Sequence, residues 1–495
     1  MTAPVDVARL AARLGLGVAD DDAARFADLL GELLAPLRYD AAPTPPAGRA
    51  TAAAPAGDPH NAIVRWCEAA PSAEGPLSGL RLTVKDSVSV AGVPLTCGSA
   101  LLQGYVPERD SVVAERILGA GGTIVAISNM DDFAASADGS TSAYGPTLNP
   151  FDAARTAGGS SGGAAASLFL DGVDAAIGTD QGGSARVPAS WCGVVGLKPT
   201  RDRIPYDGVV GTDRLLDHVG VLARDVGTVA RVLAATADPA AGPRPAAATV
   251  RVGDVRLGLL RESLSPALGV EPAVVAAIEQ LVAALARAGA RVERVSVPVH
   301  LETAEVETAL SVEGMRALLS GGGDAPGWQS RSWPTLARAL AAGIRARGAQ
   351  LSPHVKTAAL MGAVLQERFD GEHYAHARRR CGEIARAYDH ALSGVDALLL
   401  PATPTIAQPV PADGAVEQVV LRGWAPMANT AQFNLSGHPA ISLPLCEVAG
   451  MPLGAMLVGG RDEDERLLAI SAALEQTLGW KPGQPDHGRM EGRNA

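Results

Sequence analysis

Aromatic side chains are scarce in this sequence, at 4% of 495 residues, so no aromatic-rich binding surface stands out. Cysteine is scarcer still: Cys67, Cys97, Cys192, Cys381 and Cys446 are odd in number, scattered and without CxxC spacing. That argues against both a disulfide framework and a zinc site, and for a reducing compartment. No stretch reaches ~18 uninterrupted apolar residues, and the opening MTAPVDVARLAARLGLGVADDD has no basic region ahead of an apolar run. We therefore expect neither anchoring nor targeting, and a cytoplasmic protein. Positive charge is in deficit: 42 basic against 53 acidic residues leave a net charge of −11, a field that opposes nucleic acid and anionic membranes. A small-molecule substrate suits such a chain better.

What the sequence has is apolar content, 47% of the chain, enough for a large core. Residues 5–37 carry Val5, Leu10, Leu14, Phe26, Leu29, Leu30, Leu33 and Leu34 at helical spacing, with Asp20–Asp22 expected to cap the second helix. Residues 1–40 therefore read as a helical arm, and the Pro/Ala-rich residues 41–60 as a linker. From about Gly79, strand-like runs (LRLTVKD, GTIVAIS, DAAIGTD, VRLGLL, ARVERVSV, DALLLPAT) alternate with Ala/Leu-rich helical segments such as 272–288. The expectation is an α/β catalytic domain over 61–485, with a mainly helical insertion at about 301–392. A second Pro/Ala stretch, 237–250, reads as a surface loop, and 440–460 as two strands joined by a glycine-containing turn.

The segment AGGSSGGAAASLFLDGVDAAIGTDQGGSARVPASWCG, residues 157–193, places Ser160 and Ser184 on glycine-rich turns with no histidine between them. GGSSG fits the GxSxG elbow of an α/β-hydrolase, but that motif needs a strand entering the serine, and NPFDAARTA is no strand. Asp217 and His218 would have to complete that set, and as sequence neighbours they point in different directions. His373 and His376 in GEHYAHARRR read as a solvated helix face rather than metal ligands, because HExxH spacing is missing. The second serine has richer surroundings. TDQGGSARVP leaves a strand-like run through a Gly-Gly turn, where the N–H groups of Gln181, Gly182, Gly183 and Ser184 can converge as an oxyanion hole. Without histidine, the remaining base is a lysine whose pKa is lowered by burial. Lys85 ends the apolar run LRLTVKD; the alternative role for it is an ion pair with Asp86.

VKDSVSVAGVPLTCGS, GGSSGGAAASL, GTDQGGSARVPASWCGVVGLKPT and NLSGHPAISLPL, in that order, resemble the amidase signature family over roughly residues 75–475. The resemblance implies that family's fold, a large mixed twisted β-sheet covered by helices on both faces. It also implies a Ser-cisSer-Lys triad that hydrolyses carboxamides through an acyl-enzyme. Ser184 matches the nucleophile, Ser160 the bridging serine preceded by a cis peptide, and Lys85 the base. In that relay Lys85 accepts a hydrogen bond from Ser160 and Ser160 accepts one from Ser184. Ser161 is expected to support Ser160 or simply to begin the following helix, and Asp180 and Arg186 to brace the loop. The sequence departs from the commonest family pattern at Ala185 and in AISNMDDF, outside the triad.

The helical arm, DQGGS, LLDHVG and NTAQFNLSGHP look most like the enantioselective amidases of nitrile degradation, and that likeness implies a homodimer. Pocket walls are expected at Phe133, Ala137, Thr430, Gln432 and Phe433, although the two phenylalanines suit a core equally well. No metal or organic cofactor is implied. Three alternatives stand beside a simple amidase: a carbamate- or urea-cleaving relative, the glutaminase-like component of a tRNA-dependent amidotransferase, and a non-catalytic binding module.

Overall fold

The computed structural model describes residues 6–35, 49, 57–241, 249–320, 334–412 and 414–479. Most of the linker at 41–60 lies outside the described residues, as do 242–248 of the second Pro/Ala stretch and 321–333 of the helical insertion. Residues 1–44 and 45–495 form two compact units. In the first, helices run over Val7–Leu14 and Asp20–Leu34. The second helix is not capped by an aspartate side chain: Ala19 holds the capping position and Asp20, Asp21 and Asp22 lie in the first turn. There their charge complements the positive end of the helix dipole, which is a different use of the same residues.

The second unit is built on one eleven-stranded sheet. Its strands are β1 (Ile63–Ala69), β2 (Arg81–Lys85), β3 (Thr123–Ser128), β4 (Ala175–Asp180), β5 (Val195–Lys198), β6 (His218–Ala223), β7 (Arg256–Leu260), β8 (Arg291–Val295), β9 (Ala397–Pro401), β10 (Ala440–Val448) and β11 (Met451–Val458). The spatial order is β1-β3-β2-β4-β6-β5-β10-β11-β9-β7-β8. It is a mixed sheet: β3, β2 and β4 run parallel, as do β9, β7 and β8, while the strands between are antiparallel.

Burial on both faces explains the unbroken apolar runs. In β9, Ala397 and Leu399 join one buried cluster while Leu398 and Leu400 join another, as the period of two requires. On the first face the helices Val112–Gly119, Val226–Thr236, Pro272–Arg287 and Asp464–Leu478 bury Ile117, Val229, Ile278 and Leu467. On the other face lie Gly162–Ala166 and Arg186–Cys192, through Ala164, Ala165 and Ala189, and Glu372–Leu392, through Ile384 and Tyr388. Such small alanine contacts let the two serine-bearing segments approach the sheet closely.

The parallel pair β2 and β4 positions the chemistry. Val84 is level with Ile177, so Lys85 at the end of β2 lies beside the last residues of β4, just before the Gly-Gly turn. Carboxyl ends of neighbouring parallel strands are where α/β sheets collect their functional groups. His373 and His376 are both exposed on Glu372–Leu392. Among the described residues no group of three or more His, Cys, Asp or Glu side chains is arranged to hold a metal, and no helix is long and apolar enough to cross a membrane.

Candidate active site

Lys85 is fully buried at the end of β2, and its Nζ lies 2.7 Å from Ser160 Oγ and 2.7 Å from Thr179 Oγ1. Burial pushes its ammonium down to about 7, against the opposing charges of Asp131 and Asp180. Asp86 is not its partner. That carboxylate instead accepts from the N–H groups of Thr96 and Gly98, at 3.1 and 3.0 Å, and from the Thr96 hydroxyl. The peptide between Gly159 and Ser160 is cis. No strand enters Ser160, and His218, which opens β6, has Nδ1 2.8 Å from the Leu216 carbonyl.

Thr179 is the contact that motif reading missed. It sits one residue before Asp180 on β4, and pairing of β4 with β2, not any local pattern, brings it to the amine. Its hydroxyl donates to Gln181 Oε1 at 3.2 Å, and Gln181 Nε2 donates to Tyr206 Oη at 2.7 Å. Asp131 was missed as well. It accepts from Gly139 N, Thr141 N and Thr141 Oγ1 at 2.8 to 3.0 Å, while its own N–H donates to the Ser160 carbonyl at 3.2 Å. Burial raises the Asp131 carboxyl, and the nearby Asp138 adds to the shift.

Two expected hydrogen bonds take other partners. Ser161 does not reach Ser160; its Oγ donates to the Thr179 carbonyl at 3.0 Å and accepts from Thr179 N at 3.2 Å, so it ties the serine loop to β4. Among the described residues no hydrogen bond joins the hydroxyls of Ser184 and Ser160. Ser184 opens on a cavity instead, and the two segments meet through Ser161 N donating to the Ser184 carbonyl at 3.1 Å. A serine hydroxyl swings through more than an ångström by rotating one torsion, and catalytic hydrogen bonds often close only around substrate.

The turn at residues 181–184 is held from both sides. Among the described residues nothing accepts from the N–H groups of Gly182, Gly183 and Ser184, which leaves them free for an anion. Thr430 Oγ1 donates to the Gly182 carbonyl at 2.6 Å, and Gly183, at φ 144°, has no room for a β-carbon, which would come within 2.1 Å of that hydroxyl. Behind the turn Asp180 and Arg186 form a fully buried bidentate pair, at 2.8 and 2.9 Å. Burial alone would raise the Asp180 carboxyl, but the charge and hydrogen bonds of Arg186, with one from Asn434, hold it well below the usual carboxylate range. Arg186 also donates to the Thr430 carbonyl and to Asn434 Oδ1, at 3.0 and 2.7 Å.

The cavity beside Ser184 measures about 510 Å³. Of the residues expected to line it, Gln432 does. Thr430 is fully buried behind the turn it braces, Phe433 packs in the core with Tyr388, and Phe133 lies in the cluster around Met130 and Val312. Ala137 is fully buried, its N–H donating to the Gly423 carbonyl. The two phenylalanines thus went to the core, and the walls come instead from Ala134, Ala135, Leu268, Met315, Trp424 and Met427. Several of those wall residues lie in helices far along the chain from either serine.

A family model described as Amidase matches residues 61–468. The chain belongs to the amidase family. Among its relatives, the A subunit of the glutamyl-tRNA(Gln) amidotransferase of Symbiobacterium thermophilum is 34% identical over 427 residues, covering 83% of this chain and 85% of the relative. A protein of the same name from a Synechococcus strain is 36% identical over 82% of this chain and 84% of its own. Among solved structures, the native peptide amidase of Stenotrophomonas maltophilia superposes with a TM-score of 0.67 at 28% identity, covering 83% of this chain and 85% of that one.

Proposed function

We propose that this amidase-family protein hydrolyses a carboxamide C–N bond through an acyl-enzyme on Ser184. The observation that carries the reading is Lys85 Nζ at 2.7 Å from Ser160 Oγ, its ammonium lowered to about 7 by burial, beside a serine that faces the cavity. Neutral Lys85 takes the Ser160 proton while Ser160 takes that of Ser184, and Ser184 Oγ attacks the amide carbon. The N–H groups of Gln181, Gly182, Gly183 and Ser184 receive the oxyanion. The proton returns through Ser160 to the leaving nitrogen, the C–N bond breaks, and the ester remains on Ser184. Water, deprotonated by the same relay, then releases the carboxylate. Asp180, Arg186 and Thr430 hold the turn, and Ser161 holds the serine loop.

A second reading is favoured by the relatives: the glutaminase-like component of an amidotransferase, releasing ammonia from glutamine. The likeness to nitrile-pathway amidases rests on the helical arm and the short motifs DQGGS, LLDHVG and NTAQFNLSGHP, whereas the curated relatives carry amidotransferase names. Our reading also includes a cytoplasmic homodimer organised as an arm (1–40), a linker (41–60) and a catalytic region (61–485). The exposed Phe26, Leu29, Leu33 and Leu34 on one arm helix support the dimer.

Labelling with a fluorophosphonate, followed by peptide mapping, tests the chemistry. The adduct is expected on Ser184, forming about 10²- to 10⁴-fold more slowly in Lys85→Ala, the range a positioned base contributes. An adduct on Ser160, or equal rates in the two proteins, would sink the relay.

A further inference from the structure

The catalytic cavity contains one feature that the relay does not use. Glu307, in the first turn of the helix Ala304–Ser320, lines it. A β-carbon built on Gly182 would lie 3.8 Å from Glu307 Oε1, so the carboxyl stands beside the oxyanion turn, two residues from the nucleophile. Among the described residues no cation pairs with it, and no arginine or lysine lines the cavity at all. The Ser311 hydroxyl, 3.3 Å from the Thr308 carbonyl, also hydrogen-bonds to Glu307 and favours its ionised form slightly, but it is neutral and leaves the charge unmatched. The other titratable wall residue, His300, is committed: Nε2 donates to Asn429 Oδ1 at 3.0 Å and Nδ1 accepts from the Tyr388 hydroxyl at 2.7 Å. Burial holds that imidazole down to about 4, so it brings no positive charge.

Glu307 is half-buried, in a cavity whose walls are mostly apolar with neutral polar groups such as Thr212, Thr308 and Gln432 among them. A carboxylate withdrawn from water there is costly unless a cation meets it, and among the described residues lining the cavity there is none. Burial raises the Glu307 carboxyl to about 7, and an arriving ammonium would draw it back toward the ionised form. The start of a helix favours that form as well. We infer that Glu307 sets substrate specificity, accepting a charge-assisted hydrogen bond from a protonated amine carried elsewhere on an apolar amide. The same carboxylate, with no cation beside it, turns away amides whose only charged group is a carboxylate. This rests on the amide-hydrolase reading and names its substrate class.

The test compares valeramide, its ω-amino derivative and its ω-carboxylate derivative. The wild-type protein is expected to show kcat/KM at least roughly tenfold higher for the amino than for the carboxylate derivative, the scale of a charge-assisted hydrogen bond. In Glu307→Gln that ratio falls toward one, and Glu307→Asp restores part of it. Calorimetric binding of the same compounds to Ser184→Ala gives a readout that needs no turnover, with the amino derivative bound most tightly. A ratio unchanged in Glu307→Gln, or a preference for the carboxylate derivative, overturns the inference and leaves the proposed triad standing. Failure to cleave any amide counts against the hydrolase reading, while binding to Ser184→Ala still decides the role of Glu307.

Discussion

A buried lysine is the residue on which this site turns. Water would keep Lys85 protonated at neutral pH; burial lowers it to about 7, which brings the neutral amine within reach there. Only the neutral amine accepts a proton. The rate constant kcat/KM should therefore climb as pH rises through about 7 and level off above it, checked on folded protein by a pH–rate profile. Thr179 stabilises the ammonium by accepting from it at 2.7 Å. Thr179→Val removes that acceptor, so the ascending limb should shift to lower pH. Misplacement of the amine should also cost about tenfold to a hundredfold in kcat/KM. A profile that drops in height without moving would leave Thr179 a packing residue only.

At the scale of elements, the turn between β4 and the helix Arg186–Cys192 decides whether four N–H groups can face one point. Two devices hold it. Gly183 occupies a left-handed conformation against Thr430, so Gly183→Ala should lose on the order of 1–3 kcal/mol from backbone strain, with contact against the hydroxyl in addition. Urea unfolding measures that loss. Arg186 neutralises Asp180 inside the core; Arg186→Met leaves the carboxylate buried without its cation and should cost about 3–5 kcal/mol. Near-normal stability in Arg186→Met would mean that Asp180 takes up a proton or water reaches it. Much of this architecture was legible beforehand. The runs at β2, β3, β4, β7 and β9 announce themselves because strands buried on both faces are largely apolar, whereas the edge strand β8, RVERV, is legible from its alternation and β-branched valines. Strand β1, at a sheet edge, and the short β5 gave weaker patterns: IVRWCEA is only half buried, and VGLK has four residues.

For the molecule as a whole, the proposed dimer has a direct check. Light scattering should give twice the mass of the chain for the full protein and the mass of one chain once residues 1–40 are deleted; an unchanged dimer would move the interface elsewhere. Activity should survive exhaustive chelation, because in the proposed mechanism proton transfer and oxyanion stabilisation both come from side chains and backbone. The −11 net charge adds that nucleic acid should not bind measurably even at low ionic strength, where such binding is strongest.

Local chemistry was readable from residues in a row. The Gly-Gly turn, the two serines and the lysine ending an apolar strand are short-range patterns, and each places its own side chain once the strand or turn forms. The mixed fold follows from the same kind of signal, repeated along the chain. Long-range contacts were not readable in this way. Thr179 meets Lys85 because β2 and β4 pair in parallel, Asn434 and Thr430 reach the turn after β4 across roughly half the chain, and Glu307 faces Gly182 from a distant helix. The expected wall residues Phe133 and Phe433 went to the core because burial depends on which elements pack together. The chemistry of the proposed triad is thus encoded locally, while the identity of the pocket emerges only when helices far apart in the sequence close over it.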